Sequence, residues 1–172
     1  KLHQDKAAAF HDLTAKMLPA MKHARPDTCT AAAFLTVRVQ EPDEDDWHKL
    51  CHLMEHVRGT KDLPLRLSAD GSGILKWWVD ASFAVHPNMH GHSGGGLSLG
   101  HGFPITSLTK QKLNTHSSTE TEIVGMDDFM PAVCWMHYFM EAQGYNVANN
   151  IVAQDNKASM LLENNGKASS SK

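Results

Sequence analysis

The stretch ILKWWVDASFAVHP, residues 74–87, alternates apolar and small side chains in the way of a buried strand, yet it keeps a carboxylate, Asp80, in its middle. Burying an ionised group is costly unless something pairs with it. Asp80 is therefore either part of a charged site or an ordinary strand acid hydrogen-bonded to a neighbouring hydroxyl. Which of the two applies depends on what the rest of the chain can bring beside it.

The chain has 172 residues, enough for one domain with a proper core or for a compact domain plus a helical appendage. Charged residues make up 20% and hydrophobic ones 41%, so it should fold rather than stay disordered. A formal net charge of -3 argues mildly against a free-standing nucleic-acid binder, which is usually basic on at least one face. Cys29, Cys51 and Cys134 are widely spaced and form no CxxC pair, which predicts free thiols in a reducing compartment. No apolar run has the length of a membrane span and no signal-peptide pattern precedes the first helical stretch. The first residue is lysine and the last six read KASSSK, as expected of a piece cut from a longer protein.

Outward from Asp80 toward the N-terminus, three helices are predicted. DKAAAFHDLTAKMLPAMKHA puts Phe10, Leu13, Met17 and Met21 on one face. RPDTCTAAAFLTVRV opens with Pro26 and Asp27, both suited to a first turn, and PDEDDWHKLCHLMEHVRG starts with Pro42 and a cluster of acids and ends at Gly59. The period then becomes that of strands, in LPLRLSA, ILKWWVDASFAV, GGLSLGHG and FPITSLTKQKL, separated by Gly-rich or Pro-containing turns. From Thr115 the helical period returns, with Ile123, Met126, Met130, Val133 or Cys134, and Met136 or His137 along one side and Pro131 expected to bend the helix. NNIVAQDNKASMLLENNG reads as a short buried strand ending at Asp155, with a short helix behind it.

The order, helices and then β-β-β-α-β-α, predicts an α+β chain with a mixed sheet of three antiparallel strands plus a fourth parallel to the first. The boundary is expected near residues 63–70, giving a helical segment over 1–66 and a sheet-bearing domain over 67–172. In that topology Asp80, Glu122 on the long helix and Asp155 at the end of the last strand converge. Three carboxylates at close range repel one another unless a cation holds them. Hard oxygen ligands suit Mg²⁺ or Mn²⁺, and a pair of such ions can activate a water and stabilise the leaving oxygen in phosphodiester cleavage.

Two glutamates compete at the helix start. Ser117 followed by Glu120 has capping-box spacing, so Glu120 has a structural task. Glu122, about 200° around the helix from it, is the metal candidate.

WWVDASFAVHP, GGGLSLGHG, SLTKQKLNTHSSTETEIVGMDD and VAQDNKASMLLENNGKASSSK resemble the ribonuclease H domain of copia-type LTR retrotransposon polyproteins. KHARPDTCTAAAFLTVRV and DDWHKLCHLMEHVRGTKDLPL resemble the end of the same polyprotein's reverse transcriptase, its thumb or connection region. The resemblance covers essentially the whole chain, with its motifs in the family's order. It implies a ribonuclease H-like fold after a reverse-transcriptase segment, and a metal-dependent endonuclease that cuts the RNA strand of RNA–DNA hybrids. Asp80, Glu122 and Asp155 fall on the family's metal-binding and catalytic acids, and two Mg²⁺ or Mn²⁺ ions are implied. Ser118, Thr119 and Asn156 would face the hybrid's minor groove, where a ribose 2′-hydroxyl distinguishes RNA from DNA. Lys110, Lys112 and His116 would contact phosphates. The implied partners are the hybrid and the remainder of the polyprotein, with no membrane, and the implied location is a cytoplasmic retrotransposon particle, with the nucleus as a second compartment.

The family continues through a further strand and helix carrying a fourth acid, so this fragment is expected to hold its second ion weakly and to cleave slowly. Two other readings compete. A transposase or integrase core orders its acids Asp, Asp, Glu, against Asp, Glu, Asp here. A non-catalytic connection-like scaffold would grip hybrid or protein without cutting. His48, His52 and His56 share a helix face, expected to be solvated for want of a further zinc ligand. His86, His90 and His92 are expected in a loop that takes metal only adventitiously.

Overall fold

A computed structural model of the chain describes residues 1–166; the KASSSK stretch that closes the expected 67–172 domain lies outside the described residues. The chain divides into two compact units, one spanning Lys1–Arg66 and the other beginning at Leu67.

The first unit is helical. Helix α1 (Gln4–His23) buries Phe10, Thr14, Met17 and Met21 at helical spacing. Leu13, expected on that face, is only half-buried, and Thr14 takes its place against the other helices. A single 3₁₀ turn, Pro26–Thr28, starts on Pro26 and leads into α2 (Cys29–Val37). Helix α3 (Glu44–Gly59) opens on a full capping box: the Asp46 amide donates to the Asp43 carboxylate at 2.9 Å and the Asp43 amide to the Asp46 carboxylate at 3.1 Å. Arg25, Asp27, His56 and Thr60 link the α1–α2 connection to the end of α3. Arg25 forks onto Asp27 through Nε at 2.9 Å and a terminal nitrogen at 2.7 Å, and the His56 ring lies 2.8 Å from the same carboxylate. That guanidinium holds the Asp27 carboxyl well below the usual range.

The second unit is α+β with a mixed sheet. Strands β1 (Ser68–Ala69) and β4 (Gly100–His101) form a short antiparallel ladder. Strands β2 (Ile74–Ser82), β3 (His92–Ser98), β5 (Ile105–Lys110) and β6 (Asn149–Ala153) form the main sheet in the order β5-β3-β2-β6. The first three are antiparallel, and β6 runs parallel to β2 with Trp78 opposite Ala153. Helix α4 (Ser118–Ala142) connects β5 to β6, and α5 (Lys157–Asn165) follows.

Leu75, Trp77, Val79 and Ala81 point from β2 toward α4, and Leu75, Trp77, Val79 and Leu97 form a core with Phe129 and Val133. Glycine makes the close approach possible. A Cβ on Gly95 would lie 2.8 Å from both the Phe129 ring and the Trp78 carbonyl oxygen, and one on Gly125 would lie 3.0 Å from the Ala81 Cβ.

Several expectations are corrected. LPLRLSA forms a strand only over Ser68–Ala69, and the strand expected over GGLSLGHG instead runs from His92 to Ser98. Ser93 and Gly94 are thus strand residues along with the expected Gly95 and Gly96, which Phe129 and Phe103 respectively pack over. The buried side of α4 is Thr121, Glu122, Gly125, Phe129 and Val133, while Met130 and Cys134 are exposed. The helix runs on through Pro131 without interruption. Cys29, Cys51 and Cys134 form no disulfide, and no described helix is long and apolar enough to cross a membrane.

Candidate metal centre

Strand parity and register bring the acids together. Leu75, Trp77, Val79 and Ala81 use the α4 side of β2, which leaves Asp80 on the other parity. The parallel register ends with Trp78 opposite Ala153, and two further residues on each chain place Asp155 abreast of Asp80. Glu122 comes from the first turns of α4, one turn before the glycine that lets the helix settle on Ala81. One carboxylate oxygen from each of Asp80, Glu122 and Asp155 lies within 4.8 Å of the others, and Glu122 is only 6% exposed. Among the described residues no other group of three or more histidine, cysteine or acidic side chains is so arranged.

Burial pushes the Glu122 carboxyl above the usual glutamate range, and the neighbouring charges of Asp80 and Asp155 push the same way. Hydrogen bonding to Gln154 and the Ala81 backbone opposes the shift without cancelling it. Three acids converging on a partly desolvated point, with no basic side chain among the described residues bonded to them, are short of positive charge. Their donors are all carboxylate oxygens, the ligand type for a hard divalent ion. The group fits such an ion and can hold one.

Gln154, which sequence reasoning passed over, ties two of the acids together. Its Nε2 donates to Glu122 at 3.2 Å, and its Oε1 accepts from the backbone amides of Asp155 at 2.8 Å and Asn156 at 3.1 Å. The signal was present: Asn150 and Val152 face inward along β6, and Gln154 continues that alternation.

The helix start differs from the expected capping box. The Glu120 amide donates to Ser117 Oγ at 3.2 Å, but the Glu120 carboxylate accepts from His116 N at 2.6 Å rather than from Ser117. Glu120 is exposed and structural, as distinct from buried Glu122. Ser118 lies exposed on the first turn of α4, and the Thr119 carbonyl accepts a bond from Ser159 Oγ of α5. The Asn156 side chain is occupied as the N-cap of α5, its Oδ1 accepting from Ala158 N at 3.0 Å and Ser159 N at 3.1 Å. Of its side chain, the Nδ2 group is what such capping leaves for other contacts.

Lys110 closes β5 opposite His92, which itself pairs with Ser82. The register puts Lys110 on the sheet face that carries Asp80, level with Ser82 and two strand spacings, about 10 Å, across from it. Lys112 and His116 are exposed in the segment that leads into α4.

The histidines have structural partners. His86 is buried with Nε2 2.9 Å from His92 Nδ1, and His90 Nδ1 donates to the Gln111 carbonyl at 2.7 Å. Burial pushes the His86 imidazole down to about 4, with positive charge at His92, Lys110 and His90 adding to the shift. His92 is not a loop residue, as expected, but the first residue of β3. On α3, His52 pairs with Glu55 at 3.4 Å and His56 with Asp27, so those side chains engage acids.

No protein-family model, curated protein or solved structure matches the chain.

Proposed function

We propose that the second unit is a ribonuclease H-like, divalent-metal-dependent endonuclease that hydrolyses the RNA strand of RNA–DNA hybrids, and that the helical unit is a reverse-transcriptase thumb or connection segment. The observation that carries this reading is the meeting of Asp80, Glu122 and Asp155 within 4.8 Å at the end of two parallel strands. The mixed sheet, the Asp, Glu, Asp order along the chain and the resemblance to copia-type polyproteins support it.

Asp80, Glu122 and Asp155 would hold Mg²⁺ or Mn²⁺, with two ions expected. Bound divalent ions supply the charge that activates an attacking water and stabilises a departing 3′-oxygen. The chain's own residues hold the geometry. Gln154 orients Glu122 and the Asp155 backbone together. Ser118 and Thr119 at the start of α4 and the Asn156 amide at the start of α5 would meet ribose hydroxyls in a minor groove. Lys110, Lys112 and His116 would take phosphates, positioning the duplex by backbone shape rather than by base sequence.

The test is cleavage of a hybrid labelled on its RNA strand, in Mn²⁺, by the intact protein and by Asp80→Asn. The reading expects the wild type to cut the RNA strand and the variant to be slower by about two to three orders of magnitude, the range set by several kcal/mol of lost charge stabilisation. Equal cleavage by both proteins, or none by either, would reject it, and hybrid binding without cutting would favour the scaffold reading.

A further inference from the structure

Gln111 is 2% exposed and lies just beyond β5, where a polar side chain would ordinarily face water. Its Nε2 donates to the Thr121 carbonyl at 2.9 Å and to Ser93 Oγ at 2.9 Å. Its Oε1 is buried without a hydrogen-bond partner, a cost that the two donated bonds must outweigh. The pocket is made to fit this side chain. A Cβ on Gly91 would lie within contact-forbidden range of Gln111 Oε1 and 2.9 Å from Thr121 Cγ2, so no larger residue is accommodated there without movement.

The peptide that Gln111 grips joins Thr121 to Glu122. Because a peptide unit is planar, fixing the Thr121 carbonyl oxygen also fixes the Glu122 nitrogen and Cα. The Thr121 side chain is clamped independently, with its Oγ1 2.5 Å from Thr115 Oγ1 and donating to the Ser117 carbonyl at 3.0 Å. Ser93 Oγ, which accepts from Gln111, donates in turn to Asp128 Oδ2 at 2.8 Å. The helix is therefore held at Thr121 directly and at Asp128 through the serine, two turns further on.

We infer that Gln111 is a positioning residue: its buried amide fixes the peptide that carries Glu122 and so sets the geometry of the three-carboxylate site. This rests on the reading that Asp80, Glu122 and Asp155 hold a divalent ion, and it adds a residue from outside the cluster to the machinery that maintains it. Ser93 serves mainly the Asp128 attachment, and its loss should weaken the fold without displacing Glu122.

The experiment is a Mn²⁺ titration followed by electron paramagnetic resonance on the wild type, Gln111→Met and Ser93→Ala, with melting curves on each. Methionine keeps the length of glutamine and removes both donors. The inference expects Gln111→Met to weaken Mn²⁺ affinity by about tenfold or more, as loss of a ligand-orienting hydrogen bond does elsewhere. It expects Ser93→Ala to bind Mn²⁺ within about twofold of the wild type whatever its melting temperature. Wild-type affinity in folded Gln111→Met, or an equal loss in both variants, would overturn it. Should Gln111→Met not fold, a Mg²⁺ titration of the wild type by ¹⁵N NMR decides: the Gln111 side-chain amide should shift in step with the Glu122 amide, and an unmoved Gln111 amide would overturn the inference. Cleavage is read separately, so Mn²⁺ binding without hydrolysis would reject the nuclease reading and leave this one to be judged on affinity; absence of Mn²⁺ binding by the wild type would overturn both.

Discussion

Glu122 is an acid whose neutral form the fold favours, because it is buried and faces two other carboxylates. The sign of its effect follows. At a pH low enough to protonate it in both states, Glu122 leaves stability unchanged. As pH rises through the ordinary glutamate range, the unfolded chain ionises first, so stability falls and stays lower above the raised native value. Glu122→Gln should therefore melt a few degrees higher than the wild type at neutral pH without metal, a gain that vanishes near about pH 4. Mn²⁺ should reverse the ranking by stabilising the wild type far more than the variant, and its affinity for the wild type should fall as acid protonates Glu122. Melting curves with and without Mn²⁺ at two pH values check this; a metal-free variant less stable than the wild type at neutral pH would contradict it. The three acids were legible because strand parity and register are written in residue spacing. Gln111 was not, since its burial comes from Gly91 and Thr121 approaching from other elements, and its neighbours in the sequence read simply as a polar strand end.

Among the elements, the contact between α4 and β3 shows where sequence reading ran short. Glycine disfavours strands, so the expected strand begins only inside the glycine run, at Gly95, whereas β3 begins at His92. The run is a strand because the Phe129 ring occupies the space a side chain on Gly95 would take. The buried face of α4 was assigned only in part for a related reason: Met126, Val133 and Met136 do pack on the core, but Met130 is exposed, and the closest approach to the sheet is made at Gly125 with Phe129 following it. Gly95→Ala should thus lower stability by about 1–3 kcal/mol, the cost of overpacking a filled core. Urea denaturation should show a reduced midpoint with an unchanged slope, and a wild-type midpoint would mean that helix and sheet are not in the contact described. Other elements were well marked. Asp43 and the acids after it announced α3, and Ser117 announced α4, although the Glu120 carboxylate turned back to His116.

For the molecule as a whole, the period changes from helical to strand near residue 63, and the compact units divide at Arg66 and Leu67. Strand order was legible because a long helix between β5 and β6 permits a parallel return beside β2, whereas short turns between β2, β3 and β5 demand antiparallel pairing. With a formal net charge of -3, the proposed activity depends on the divalent ion and a few local cations rather than on bulk attraction to a duplex. That dependence makes the metal site the claim to test first. Crystals soaked in Mn²⁺ and measured at a wavelength where manganese scatters anomalously should show a peak bounded by Asp80, Glu122 and Asp155, at about 2.0–2.2 Å from their oxygens, and none there in Asp80→Asn. Carboxylates that stay apart in saturating Mn²⁺, with no peak between them, would contradict the account.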